Sequence, residues 1–137
     1  MRRMVTGLVL LALLLGVLAS CGETPAVVDP KVTAEAFLKT MGERNYAECY
    51  KLLSADTQAT VSAEDFQKML ETAWTDAGIT GFQTKTVKDA VLSKSGTRAS
   101  VPYQATLTTR EGTTDVYNAL SLVLQSGQWR VIWPPAR

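Results

Sequence analysis

Along the 137 residues, polar and apolar positions change rhythm three times. Leu8 to Ala19 is an apolar run with no charge, preceded by Arg2 and Arg3 and followed by Cys21 and Glu23. A helix crossing about 30 Å of hydrocarbon needs about 20 such residues, so the run is short for a span. With the arginines before it, it has the charged and apolar regions of a signal peptide. Residues 22 to 30, GETPAVVDP, hold two prolines and two acids with neither helical nor strand period, and suit a tether. From Val32 the spacing turns helical. Val32, Ala36, Phe37, Leu38 and Met41 recur every three or four positions, Gly42 and Asn45 interrupt, and Tyr46, Cys49, Tyr50 and Leu53 resume, which predicts two helices meeting at a bend. A third helix is expected after Ser62, capped by that serine. Glu64 and Asp65 complement its positive end, Phe66, Met69, Leu70, Ala73 and Trp74 form its apolar stripe, and Gly78 ends it.

After Gly81 the period falls to two. In TRASVPYQATLTT one face carries Ala99, Val101, Tyr103, Ala105 and Leu107, and the other carries Arg98, Ser100, Gln104, Thr106 and Thr108. A strand over Phe82 to Leu92 precedes it through the turn SKSG. A strand over Thr113 to Gln125 follows the turn REG and turns Leu120, Leu122 and Leu124 to one face. In the last, QWRVIW, Trp129, Val131 and Trp133 point inward, and Pro134 and Pro135 stop the ladder after Trp133. Three helices before four antiparallel strands predict an α+β fold, helices packed on one curved sheet. The domain spans residues 31–137, one unit by length and without an internal repeat.

Leu18, Ala19, Ser20 and Cys21 resemble a bacterial lipobox. The resemblance implies removal of residues 1–20, diacylglyceryl on the Cys21 thiol, and a mature chain beginning at Cys21 with residues 21–30 as tether. Several acyl chains hold a protein at a bilayer where one would not. The expected location is therefore the cell envelope, with the membrane as partner through Cys21 and the domain facing outside the cytoplasm. A retained single-pass anchor with an incidental Cys21 is the alternative.

Charge and composition narrow the chemistry. The 14 Lys and Arg fall to 12 once Arg2 and Arg3 are removed, against 13 acids, so the domain is near neutral. No clustered basic face is expected for nucleic acid. There is no histidine, hence no ordinary neutral-pH proton shuttle and no usual zinc site. No cofactor or metal is expected. Cys49 has no partner once Cys21 carries lipid, and reads as a small buried hydrophobe.

Two stretches carry a wider likeness. AFLKTMGERNYAECYKLLS and GQWRVIWPP, within a span of about residues 31–135, resemble the nuclear transport factor 2-like fold. More narrowly, they resemble the N-terminal non-catalytic domain of penicillin-binding transpeptidases of the methicillin-resistance type. Those enzymes continue into a catalytic domain. Their chemistry needs a serine with a lysine three residues later. None of Ser54, Ser62, Ser93, Ser95, Ser100, Ser121 or Ser126 has one. Lys94, Ser95 and Gly96 resemble the Lys-Thr/Ser-Gly element but fall in a turn. The expected protein is an accessory or binding module of the envelope without transpeptidase chemistry, linked to peptidoglycan or penicillin-binding-protein function.

The same fold also hosts isomerases and dehydratases that place a carboxylate base in an apolar pocket. Asp89 and Asp115 fall on the outward alternation, which disfavours that alternative. Asn118 shares a face with Leu120, either as a polar residue satisfied by backbone or as a ligand contact. Asn118, Tyr103, Trp74, Trp129 and Trp133 are the candidate pocket, with Phe37 and Phe66 beside them, and these aromatics either line a cavity or fill it. Tyr46 and Tyr50, one helical turn apart, are expected half-exposed. Arg98, Gln104, Thr106, Tyr117, Val123 and Ile132 form an outer face too apolar to be only solvating. It is the candidate surface for weak self-association or for contact with an envelope protein or glycan.

Overall fold

A computed structural model describes residues 27–134. The leader, Cys21, most of the tether and residues 135–137, Pro135 among them, lie outside that range. Helix α1 (Pro30–Gly42) begins where Asp29 accepts a hydrogen bond from the Lys31 amide at 2.8 Å. Pro30 occupies the first turn, where a missing N–H costs nothing. The helix buries Ala34, Phe37, Leu38 and Met41, while Val32, expected in the stripe, lies exposed. Helix α2 (Tyr46–Lys51) follows the bend, capped by Asn45. Tyr46 is buried edge-on against Trp74 rather than half-exposed, and Tyr50 is half-buried. Cys49 is fully buried, 3.0 Å from the Thr40 hydroxyl, and burial pushes its thiol pKa up.

Helix α3 (Ala55–Thr60) was not expected, because ADTQAT has no apolar stripe. Its start is set by Ser54, which accepts from the Thr57 amide and donates to the Thr57 hydroxyl. Helix α4 (Ala63–Asp76) begins at the predicted Ser62 cap, where the Asp65 amide donates to Oγ at 3.1 Å. It buries Phe66, Leu70 and Trp74 on a stripe narrower than expected, leaving Met69 and Ala73 exposed. Gly78, at φ +63°, turns the chain out of the helix in a conformation that only glycine adopts without strain.

The sheet is antiparallel: β1 (Ile79–Val87), β2 (Val91–Leu92), β3 (Arg98–Thr109), β4 (Gly112–Gln125) and β5 (Gln128–Val131), in the order β1-β3-β4-β5, with β2 also on β3. The expected strand Phe82–Leu92 thus begins earlier and splits in two. Pro102 of β3 accepts a bond from the Lys88 amide at 2.8 Å but has no N–H to return. Pairing lapses over residues 88–90 and resumes where Val91 faces Ser100.

The β3 and β4 faces follow the predicted alternation. Ala99, Val101, Ala105, Leu120 and Leu122 are buried under the helices. Strand β5 ends at Val131, two residues short of expectation. The Thr57 hydroxyl bonds both the amide and the carbonyl of Trp133 at 3.2 Å and draws the chain off the sheet onto α3. Trp133 still points inward, its ring 6.1 Å from Phe37 and 6.2 Å from Phe66. The segment Leu52–Ser54 covers the β5 edge, with Ser54 N donating to Val131 O and Val131 N to Leu52 O, both at 2.8 Å.

Candidate functional site

Two candidate regions stand out, one on each side of the sheet. Between the sheet and α1 and α4 lies a cavity of about 150 Å³, lined by Phe37, Leu38, Met41, Leu70, Trp74, Ile79, Phe82, Tyr103, Leu107, Leu120 and Trp133. Its lining side chains are apolar apart from the indoles of Trp74 and Trp133 and the Tyr103 phenol, whose hydroxyl has no hydrogen-bond partner among the described residues. Burial raises the Tyr103 pKa and keeps the phenol neutral. The Arg44 guanidinium lies 4.9 Å over the Trp74 ring and donates to the Ile79 carbonyl, bracing two of the lining residues.

Of the five residues predicted for a pocket, Tyr103, Trp74 and Trp133 meet in this cavity. Asn118 and Trp129 do not. Asn118 has the inward alternation but stands beyond the helices' cover, exposed, with Oδ1 bonded to the Ala119 amide at 2.8 Å. Trp129 is buried at the other end of the sheet beside Leu124, with no hydrogen-bond partner for its indole N–H.

On the outer face, Asp115 is the hub of a polar network. Lys85 donates to its two carboxylate oxygens at 2.9 and 2.8 Å, Thr106 to Oδ1 at 2.8 Å, and Gln104 to Oδ2 at 3.2 Å. The Lys85 bond foremost, then the Thr106 bond, hold the Asp115 pKa below the ordinary carboxylate value. Gln104 also donates to the Tyr117 hydroxyl at 3.0 Å, steadying a ring that is 75% exposed. Register explains the cluster, because Gln104 pairs with Tyr117 and Thr106 with Asp115 across β3 and β4, and a bulge at Lys85 swings its ammonium over the face. Arg98 and Ile132 lie toward the other end of the sheet, with Val91, Ser100 and Ser121 around a groove of about 310 Å³. Val123 is opposite Arg98.

The order of helices and strands, the long β3–β4 pair and the closing Trp129–Trp133 segment agree with a family whose model matches residues 29–137: the NTF2-like N-terminal transpeptidase domain. The chain belongs to that family. A relative is penicillin-binding protein 3 of Bacillus subtilis, 25% identical over 124 residues, 87% of this chain. The chain spans only 18% of that relative's length. Solved structures share the fold at low identity. A SEC-C motif containing protein from Psychrobacter arcticus is 11% identical at a TM-score of 0.56, covering 85% of this chain and 66% of that one. An LEH-like epoxide hydrolase from M. tuberculosis is 17% identical at 0.53, covering 80% and 81%. An NTF-2 like protein of unknown function from Shewanella oneidensis is 9% identical at 0.50, covering 74% and 90%.

The Lys94–Gly96 tripeptide sits in an exposed turn, with Gly96 N bonded to Ser93 O. Sequence reasoning missed Lys85 and the central place of Asp115. The signal was available in part, since Asp115 holds an outward strand position, where a cation on a neighbouring strand forms a favourable pair.

Proposed function

We propose that the protein is a lipid-anchored, non-catalytic binding module of the cell envelope, acting beside the penicillin-binding transpeptidases whose N-terminal domain it resembles. The observation that carries this reading is the outer sheet face. Asp115, Lys85, Thr106 and Gln104 compensate one another and hold Tyr117 outward, so an aromatic anchor is presented with little side-chain entropy left to lose on binding. The lipobox-like Leu18–Cys21 accounts for delivery, and the kinship with penicillin-binding protein 3 supports an envelope setting. Among the described residues no helix is long and apolar enough to cross a membrane.

An isomerase-like activity has less support. The residues lining the cavity include no carboxylate, and Asp89 and Asp115 both face away from it. A photo-crosslinking residue in place of Tyr117, in the full chain in its native membranes, tests the docking surface. A discrete adduct at position 117 supports the reading. No adduct at position 117, with the chain still membrane-bound, refutes it. Cys21→Ser tests the anchor separately, by loss of acylation and release from, or unprocessed retention in, the membrane fraction.

A further inference from the structure

The end of the domain nearest the tether exposes aliphatic side chains that the fold does not need there. Val27, Val28, Val91 and Leu92 are 54, 55, 65 and 54% exposed. Val91 and Leu92 are adjacent in β2, so their side chains leave opposite faces of the sheet, and neither face is covered. Leu92 joins Val27, Val28, Ala90, Leu124 and Trp129 in an open groove of about 420 Å³. Cations flank it. Lys31 leans on Asp89 at 3.2 Å, and Lys88, Lys94 and Arg98 are exposed around β2 and its turn, against the two carboxylates Asp29 and Asp89.

We infer that this end of the domain docks on the surface of the bilayer, with Val27, Val28, Val91 and Leu92 dipping into the headgroup boundary and the lysines among anionic headgroups. The inference rests on the reading of Cys21 as the lipidated residue. Five residues lie between Cys21 and Val27, and the six steps of about 3.3 to 3.6 Å from one to the other reach no further than about 22 Å. The patch is therefore held within a short distance of the headgroups whatever path those residues take.

The rest of the fold agrees in direction. The start of α1, the turn at Lys94–Gly96 and the turn at Ser126–Gly127 gather at this end, Thr97 O accepting from Leu124 N at 2.8 Å. The β3–β4 turn at Arg110–Glu111 lies at the far end of a twelve-residue strand, whose length is at most about 40 Å. Amphipathic surfaces that combine aliphatic tips with lysine favour an anionic lipid interface over water. Docking in this pose leaves the Tyr117 face open sideways, toward other envelope proteins.

The test uses the acylated full chain in vesicles of phosphatidylethanolamine and phosphatidylglycerol. An environment-sensitive fluorophore is placed by Leu92→Cys, with Val91→Cys as a second site and Glu111→Cys as the distant control. Cys49 is buried and does not compete for label. Expected are a blue shift and quenching by doxyl-labelled lipid at 92 and 91, with neither at 111. A chain that carries lipid and floats with vesicles, yet shows the same aqueous emission at 92 as at 111, overturns the docking while the anchor stands. A blue shift at 92 without lipid quenching also overturns it, since a second copy or another protein then covers the patch. A chain without lipid that does not float removes the anchor, and the docking falls with it.

Discussion

Replacing Trp129 measures how much of this small domain depends on one ring. Trp129 pairs with Leu124 across β4 and β5 and is 5% exposed. A tryptophan buries about 150 to 250 Å², which at about 25 cal/mol per Å² corresponds to about 4 to 6 kcal/mol. That is an upper bound, because the unfolded chain already hides part of its surface. Truncation of buried aromatic residues typically costs about 3 to 5 kcal/mol, a large share of the roughly 5 to 15 kcal/mol that holds a domain together.

The indole N–H refines the expectation. It is buried without a partner, and such a group costs about 1 to 3 kcal/mol. Trp129→Phe removes that penalty along with part of the ring, so its net loss should be about 2 kcal/mol or less. Urea denaturation of the domain, followed by circular dichroism, separates the variants. With a slope of roughly 1 to 3 kcal/mol per molar, Trp129→Ala should lower the midpoint by about 2 M and Trp129→Phe by about half of that or less. Full stability of Trp129→Ala would place the ring outside the core. Equal damage from Phe and Ala would mean that the N–H is bonded and contributes, and the argument from its isolation would fail.

Two other outcomes follow from local geometry and titration. A Cβ at Gly42 would stand 2.9 Å from the Phe82 carbonyl oxygen, so Gly42→Ala should lower the same midpoint by an amount corresponding to about 1 to 3 kcal/mol, and unchanged stability would show that α1 and β1 separate freely there. Burial raises the pKa of Cys49 and of Tyr103, and burial foremost that of Tyr46. Each neutral form is therefore favoured in the folded state, and stability is complete below the unfolded pKa values of about 8.5 for thiol and about 10 for phenol. Stability should fall as pH rises above about 9, and Cys49→Ala should flatten the first part of that fall. A midpoint constant from pH 8 to 11 would contradict it.

Periodicity over long stretches made α1, α4, β3 and β4 legible, because a wide apolar stripe or a strict alternation encodes its own burial. Shorter features were not. ADTQAT is too short and polar to be helical by itself, and α3 exists because Ser54 and Thr57 cap it and Thr57 is tied to Trp133, 76 residues away. The same tie ends β5 at Val131, which no reading of QWRVIW alone could locate. The break in the first strand had a local cause but a distant seat, the missing N–H of Pro102 on its neighbour.

For the site, alternation assigned Gln104, Thr106 and Tyr117 to the outer face, and register then joined them to Lys85 and Asp115. It assigned Asn118 and Tyr103 to the inner face as well, but only Tyr103 reaches the cavity. Alternation fixes which side of a sheet a residue takes. It carries no information on where the helices stop covering that side, so the extent of cover, and with it the exposed end at Val91 and Leu92, is decided only when the layers pack.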